Sequence, residues 1–216
     1  MVLVTRLIAV FGASPGIGKT TLTRRLATDA STGVGRVDRF NEEDILSRSE
    51  FAPVAAQFQA TGVVDLDVLL AASERFVASA QAYDLVVTDT LFPFVPSLVA
   101  WGHDEETIRA FLIQLRTILE PLNPVVVYLD GDPAEALPRA ASRSGESWLD
   151  NFLAKTATYK VTPRIRDLED TIAHLRSERD ITLRSMIAAG YTVVKIPDAH
   201  LRSSDDLASE ALSRLA

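Results

Sequence analysis

The order of apolar runs and helical periodicities predicts an α/β fold built on a five-stranded, mainly parallel sheet. Three observations carry this. Short β-type runs alternate with segments of helical spacing along the 216 residues, the pattern of strand–helix–strand units. The first run (LIAVF, residues 7–11) passes into a Gly-rich loop and then a helix. Acidic residues Asp38, Asp89 and Asp130 stand at the carboxyl ends of three runs, where ligands of such sheets gather.

The elements follow in order. A strand is expected over about residues 3–11, a helix over 19–30 and a turn at 31–33. A short second strand is expected at 34–37, delivering a charged tip with Asp38, Arg39, Asn41, Glu42, Glu43 and Asp44. Residues 50–82 have helical spacing broken near Gly62, with Leu66, Leu69, Leu70, Phe76 and Val77 as buried stripes. The run at 83–90 is a third strand. Residues 91–96 (LFPFVP) carry two prolines and read as an aromatic loop over the sheet's carboxyl edge. Asp104 caps a helix at about 105–119, and 125–130 (VVVYLD) is a buried strand. Asp132 and Pro133 open a helix bearing Arg139 and Arg143, with a kink expected at Pro138. Residues 144–147 break it, two helices follow at 148–159 and 164–189, and a last strand runs over 191–196. Residues 201–216 read as a polar turn and a short amphipathic helix.

The chemistry begins in the first loop. Ala13-Ser14-Pro15-Gly16-Ile17-Gly18-Lys19-Thr20-Thr21 fits A-x-x-x-x-G-K-T between a strand and a helix, the context that defines a P-loop. Triphosphate oxygens need several backbone N–H donors converging on one point. Gly16 and Gly18 let the loop bend tightly, and the new helix aims its positive end at the anion. Lys19 reaches the β- and γ-phosphates, and the Thr20 hydroxyl ligates Mg²⁺. ATP and Mg²⁺ are therefore the expected cofactors, with Ala13, Ser14, Gly16, Ile17, Gly18, Lys19, Thr20 and Thr21 as their binding residues. The predicted architecture becomes a P-loop NTPase three-layer sandwich, one domain spanning residues 1–216.

Composition limits the partners. Net charge is −7, whereas nucleic-acid binders carry a basic excess, so no nucleic acid is expected. No apolar run reaches the length of a membrane span, so no membrane is expected either. The chain has no cysteine, which excludes thiolate metal sites and Cys nucleophiles and fits a cytoplasmic protein.

A guanine-reading Asn-Lys-x-Asp motif is absent, against a GTPase. The segment Val127-Tyr128-Leu129-Asp130-Gly131-Asp132-Pro133-Ala134-Glu135-Ala136-Leu137-Pro138-Arg139, with Arg143 and Gly145, resembles the strand, helix and Arg-bearing lid of thymidylate kinases and deoxynucleoside kinases. The resemblance implies a lid at about 138–150, with Arg139 and Arg143 closing over the phosphates. Asp89 resembles the family's acidic strand end, but Thr90 stands where the family has Arg. The resemblance implies an ATP-dependent kinase acting on a small-molecule acceptor: a nucleoside, a nucleotide, or a related metabolite or antibiotic. Kinases of this kind are often dimers, so a homodimer is a further expectation.

A carboxylate must orient or deprotonate the acceptor hydroxyl. Asp38 has the better spacing from Lys19, with Glu42 and Glu43 as rivals. Arg39, Glu42, Asp89, Phe92 and Phe94 are the expected substrate-binding residues, and Thr20 and Asp89 the metal-binding ones. The alternative from another class is a P-loop ATPase or nucleotide switch acting on a protein partner.

Overall fold

The computed structural model describes residues 5–12, 14–30, 35–89 and 94–215. Five strands, β1 (Arg6–Gly12), β2 (Val37–Phe40), β3 (Leu85–Asp89), β4 (Val125–Leu129) and β5 (Thr192–Ile196), form one sheet in the order β2-β3-β1-β4-β5. Every pairing is parallel. β3 and β4 are buried along their whole length, as their continuous apolar runs require of strands covered on both faces. The edge strands β2 and β5 are more exposed.

The helices are α1 (Lys19–Ala30), α2 (Ala52–Thr61), α3 (Leu66–Ala80), α4 (Val95–Ala100), α5 (Glu105–Leu119), α6 (Pro133–Ser144), α7 (Glu146–Thr156), α8 (Leu168–Ala188) and α9 (Ser204–Leu215). The strand order and the right-handed rule for parallel crossovers place them. The chain leaves β1 toward β2, so α1 lies on one face. Every later crossover runs the other way across the sheet, so α3, α5 and α8 lie on the opposite face. The contacts agree: α1 packs on β1, β2 and β3 and meets α9, while α3 meets α5 and α5 meets α8.

This arrangement fixes where a ligand can sit. The chain leaves β1 to one face, while from its neighbours β3 and β4 it leaves to the other. A crevice therefore opens at the carboxyl end of β1, the switch point of the sheet. Register brings Val10 beside Asp89 and Gly12 beside Leu129, so the loop after β1 rises between the ends of β3 and β4.

Helix boundaries follow local chemistry. The Asp104 side chain accepts a hydrogen bond from the Thr107 N–H, and Asp132 from the Ala134 N–H, satisfying donors that a helix start leaves open. Gly62 ends α2 at a φ of 73°, a left-handed cap that glycine adopts without strain. α6 continues through Pro138 as one element, although that residue has no N–H to return to Ala134.

Two expectations need correction. β2 is Val37–Phe40, not residues 34–37. Its apolar end residue, Phe40, packs with Phe51 and Phe76 in a buried aromatic trio with centroids 5.4 to 6.3 Å apart. Such ring pairs add about 0.5–1.5 kcal/mol each beyond their area, enough to pull the strand three residues along the chain. Of the stretch 91–96, residues 91–93 lie outside the described residues, and its last two residues are not loop: α4 begins at Val95, with Pro96 in its first turn, where a missing N–H costs nothing.

Candidate phosphate-binding site

The loop after β1 has the shape its glycines require. Gly16 has a φ of 83° and Gly18 a φ of 105°, both in the region that favours glycine. Gly16 also abuts α6: a Cβ there would lie 2.5 Å from the Ala136 carbonyl oxygen and 3.0 Å from the Ala140 Cβ. The loop and α6 are thus packed backbone to backbone. Ile17 is buried against Gly12 and Gly131 and pins the loop to the ends of β1 and β4. Ser14 is buried, and its Oγ donates to the Pro15 carbonyl. The Leu22 N–H donates to the Gly18 carbonyl at 2.9 Å, which starts α1 directly off the loop. Ala13 lies outside the described residues.

Lys19 Nζ donates to the Ser14 carbonyl at 2.8 Å, across the loop mouth. Burial pushes its ammonium below the ordinary value. The carboxylates of Glu42, Asp89 and Glu178 act against that shift, and the Arg143 charge adds to it. The charges that act on this amine come from the tip after β2, β3, α6 and α8.

The Thr20 hydroxyl donates to Asp89 Oδ2 at 2.6 Å. The other oxygen, Oδ1, accepts the Glu42 N–H at 3.1 Å. Asp89 is 4% exposed. A hydroxyl and a carboxylate held together beside a phosphate loop are hard oxygen donors of the kind Mg²⁺ takes. Thr21 faces outward beside Thr20.

Arg139 and Arg143 are exposed on α6 and pair with no carboxylate among the described residues. Ala136, Ala140 and Arg143 fall at helical spacing on one face, and that face is the one lying against Gly16. Arg139 flanks it.

The tip after β2 differs from expectation. Because β2 starts at Val37, Asp38 lies inside the strand at the level of Val86, below the carboxyl edge. Both of its oxygens accept from Arg48 Nη2, at 2.7 and 2.6 Å. Arg48 is itself stacked 4.2 Å over the Phe40 ring. Asp38 is therefore held in an ion pair within β2 and does not stand at its carboxyl tip. Glu42, in a short 3₁₀ turn at Glu42–Leu46, takes the strand-tip position instead. The Glu43 side chain lies outside what is described. Arg39 is exposed on the edge strand and donates to Asn41 Oδ1 at 3.3 Å. Phe94 is a correction too: it is buried in the core, edge-on to Phe111 at 6.3 Å, and does not line an open pocket. Phe92 lies outside the described residues.

Three important residues escaped the sequence reading. Arg48 gave no signal beyond one more charge. Arg179 donates to both oxygens of Asp130, which Lys195 also contacts at 2.8 Å. Glu178 is buried on α8, and its charge acts on Lys19. A signal for Glu178 did exist. It occupies a buried stripe with Thr171, Leu175, Thr182 and Ser185, at helical spacing where an acid is out of place.

An all-parallel sheet of this order, with a P-loop on its central strand and an Arg-bearing helix packed on that loop, defines the P-loop kinase fold. No family model and no curated protein matches the chain. Among solved structures, it is similar to the thymidylate kinase of Ehrlichia chaffeensis, with a TM-score of 0.55 and 15% identity over 98% of each chain. The protein therefore has the fold of a thymidylate kinase. Among the described residues, no helix is long and apolar enough to cross a membrane.

Proposed function

We propose that the chain is an ATP-dependent phosphotransferase that moves the γ-phosphoryl group of ATP onto a small-molecule acceptor. The observation that carries this is the Thr20–Asp89 contact at 2.6 Å, set at the mouth of a loop whose Lys19 is under the charges of Glu42, Asp89, Glu178 and Arg143. Residues 14–21 bind the triphosphate through backbone N–H groups and the helix start. Thr20 and Asp89 would hold Mg²⁺, which would supply positive charge against the triphosphate. Lys19 places its ammonium against the same oxygens. Arg139 and Arg143, on the lid segment of about residues 138–150, turn their guanidiniums to the migrating group, where a planar fork binds phosphate oxygens two at a time.

Glu42 takes the role first assigned to Asp38. It orients the acceptor hydroxyl and receives its proton. The acceptor oxygen then bonds to the γ-phosphorus, the β–γ bridging P–O bond breaks, and ADP leaves. The absence of cysteine fits a chain working in a reducing cytoplasm.

The test is ATP consumption against nucleosides, nucleotides, amino sugars and hydroxylated antibiotics, with mass detection of phosphate on the acceptor and Lys19→Ala as control. A phosphorylated acceptor made by the wild type and not by Lys19→Ala supports the reading. ATP hydrolysis indifferent to every small molecule supports an ATPase or switch acting on a protein partner instead.

A further inference from the structure

Glu135 is the one acidic residue of α6, and Arg139 stands four positions after it. A carboxylate one turn ahead of an arginine is the favourable order for an ion pair along a helix. No such pair forms: Arg139 meets no carboxylate among the described residues. Glu135 turns instead to the short turn after β5 (Ala199–Leu201), where its Oε2 lies 2.7 Å from His200 Nε2. An ionised carboxylate only accepts, so Nε2 carries the proton.

The two partners are unlike. The His200 side chain is 5% exposed and that of Glu135 59%. The ring is fixed in place. A Cβ on Gly131 would lie 2.5 Å from His200 Nδ1 and 3.0 Å from Ile17 Cδ1, so the ring shares the space beside Gly131 with Ile17 of the phosphate loop. The Ala199 N–H donates to the Asp130 carbonyl at 2.9 Å, which ties the turn to the end of β4. Nδ1 is buried and has no hydrogen-bond partner among the described residues. Such an atom costs stability, and an apolar side chain of similar size would avoid that cost. What the imidazole adds over an apolar group is one donor, and that donor goes to Glu135.

We propose that His200 is a positioning residue that keeps Arg139 free for phosphate: by holding Glu135, it withdraws the carboxylate that would otherwise pair with Arg139. This deepens the phosphotransferase reading and rests on it. Glu135 is largely exposed, so once released it can swing through its own rotamers to the guanidinium one turn away. An arginine already paired offers fewer donors to phosphate oxygens. An exposed helical ion pair is weak, so releasing Glu135 handicaps nucleotide binding and does not abolish it. His200 thus touches no substrate and acts through Arg139 alone.

The test is calorimetric titration with MgATP and with MgADP, which differ by the γ-phosphate. It compares wild type, Arg139→Ala, Glu135→Ala, Glu135→Asp, His200→Leu and the double variant His200→Leu/Glu135→Ala. Arg139→Ala should raise the Kd for MgATP roughly tenfold, with a much smaller change for MgADP. Glu135→Asp is too short to reach His200 yet still stands one turn before Arg139. It and His200→Leu should each raise the Kd for MgATP roughly two- to fivefold, with MgADP unchanged. Glu135→Ala removes the competing charge, so it should bind MgATP as wild type does, and so should the double variant. The two Glu135 variants lie at a largely exposed position and cover the case in which His200→Leu fails to fold. MgATP binding unchanged in Glu135→Asp, or weakened equally in Glu135→Ala, overturns this inference, as does a double variant no better than His200→Leu. Arg139→Ala that binds MgATP normally also overturns it and leaves the phosphotransferase standing. Wild-type protein that binds neither nucleotide overturns both.

Discussion

The ends of β3 and β4 flank the same loop and each carries a buried aspartate, yet the two are used differently. Asp89 is 4% exposed and Asp130 6%. Asp89 accepts from one hydroxyl and one backbone N–H, neutral donors that orient a carboxylate without consuming its charge. Asp130 accepts from Arg179 at 2.5 and 2.9 Å and contacts Lys195 at 2.8 Å. Burial pushes its carboxyl up, but these cations outweigh that and hold it below the usual range. The difference teaches that a strand-end acid is a ligand candidate only when no cation already neutralises it. Asp130 ties β4 to α8 and β5, whereas Asp89 pairs with no Lys or Arg among the described residues.

The sharpest break in this contrast is Asp89→Asn. Turnover should fall roughly 10²- to 10³-fold, the scale seen when one preorganised electrostatic group is removed from a reaction centre, with melting temperature little changed. A variant that keeps full turnover would return Asp89 to the status of a strand cap.

Glu178 offers a third buried acid with no cation in hydrogen-bond contact. Burial raises its carboxyl from 4.5 to about 7, with Glu42 adding and Lys19 opposing. Its folded value lies above its unfolded one, so its contribution to stability is full below about pH 4.5 and is lost as pH rises through about 7. Denaturant titrations should show wild type losing on the order of 3 kcal/mol relative to Glu178→Gln over that window. Parallel pH profiles for the two proteins would mean that the carboxylate is not desolvated.

Asp130→Asn tests the other side of the contrast. It leaves Arg179 and Lys195 without their partner, and stability should drop by about 2–3 kcal/mol, at the low end for a broken buried pair because both cations reach solvent. Turnover of the folded fraction should stay near wild type. A large loss of turnover with an unchanged melting temperature would place Asp130 among the reacting groups. The smallest effect belongs to α6. Arg143→Ala should slow turnover about tenfold, with acceptor KM nearly unchanged, and a normal rate would make Arg143 an ordinary surface residue.

Much of the phosphate side was legible in the sequence. Strand, loop and helix are contiguous in the chain, so Gly16, Gly18, Lys19 and Thr20 stood in a fixed spacing that tertiary packing had little freedom to alter. The sheet was legible because its central strands are unbroken apolar runs. The proposed acceptor side is assembled from residues distant in sequence, and there local reasoning failed for stated causes. The Phe40–Phe51–Phe76 trio shifted β2 and carried Asp38 off the edge. Arg48 then captured it, a pairing that no short-range pattern announces. Phe94 was drawn into the core by Phe111. Glu178 carried a periodic signal that an isolated acid on a long polar helix did not make conspicuous.

The contact between Gly16 and α6 has a consequence for how such a chain can diverge. The atom facing Gly16 at 2.5 Å is the carbonyl oxygen of Ala136, part of the main chain, and only the second neighbour is a side chain, the methyl of Ala140. Replacing Ala140 by glycine would relieve crowding from that methyl, but it would leave the nearer main-chain oxygen in place. No compensating change is available at 136, where every amino acid presents the same oxygen. Position 16 is therefore closed to drift by covariation, and a descendant lineage that lost this glycine would have to move the whole helix, with its arginines, away from the loop.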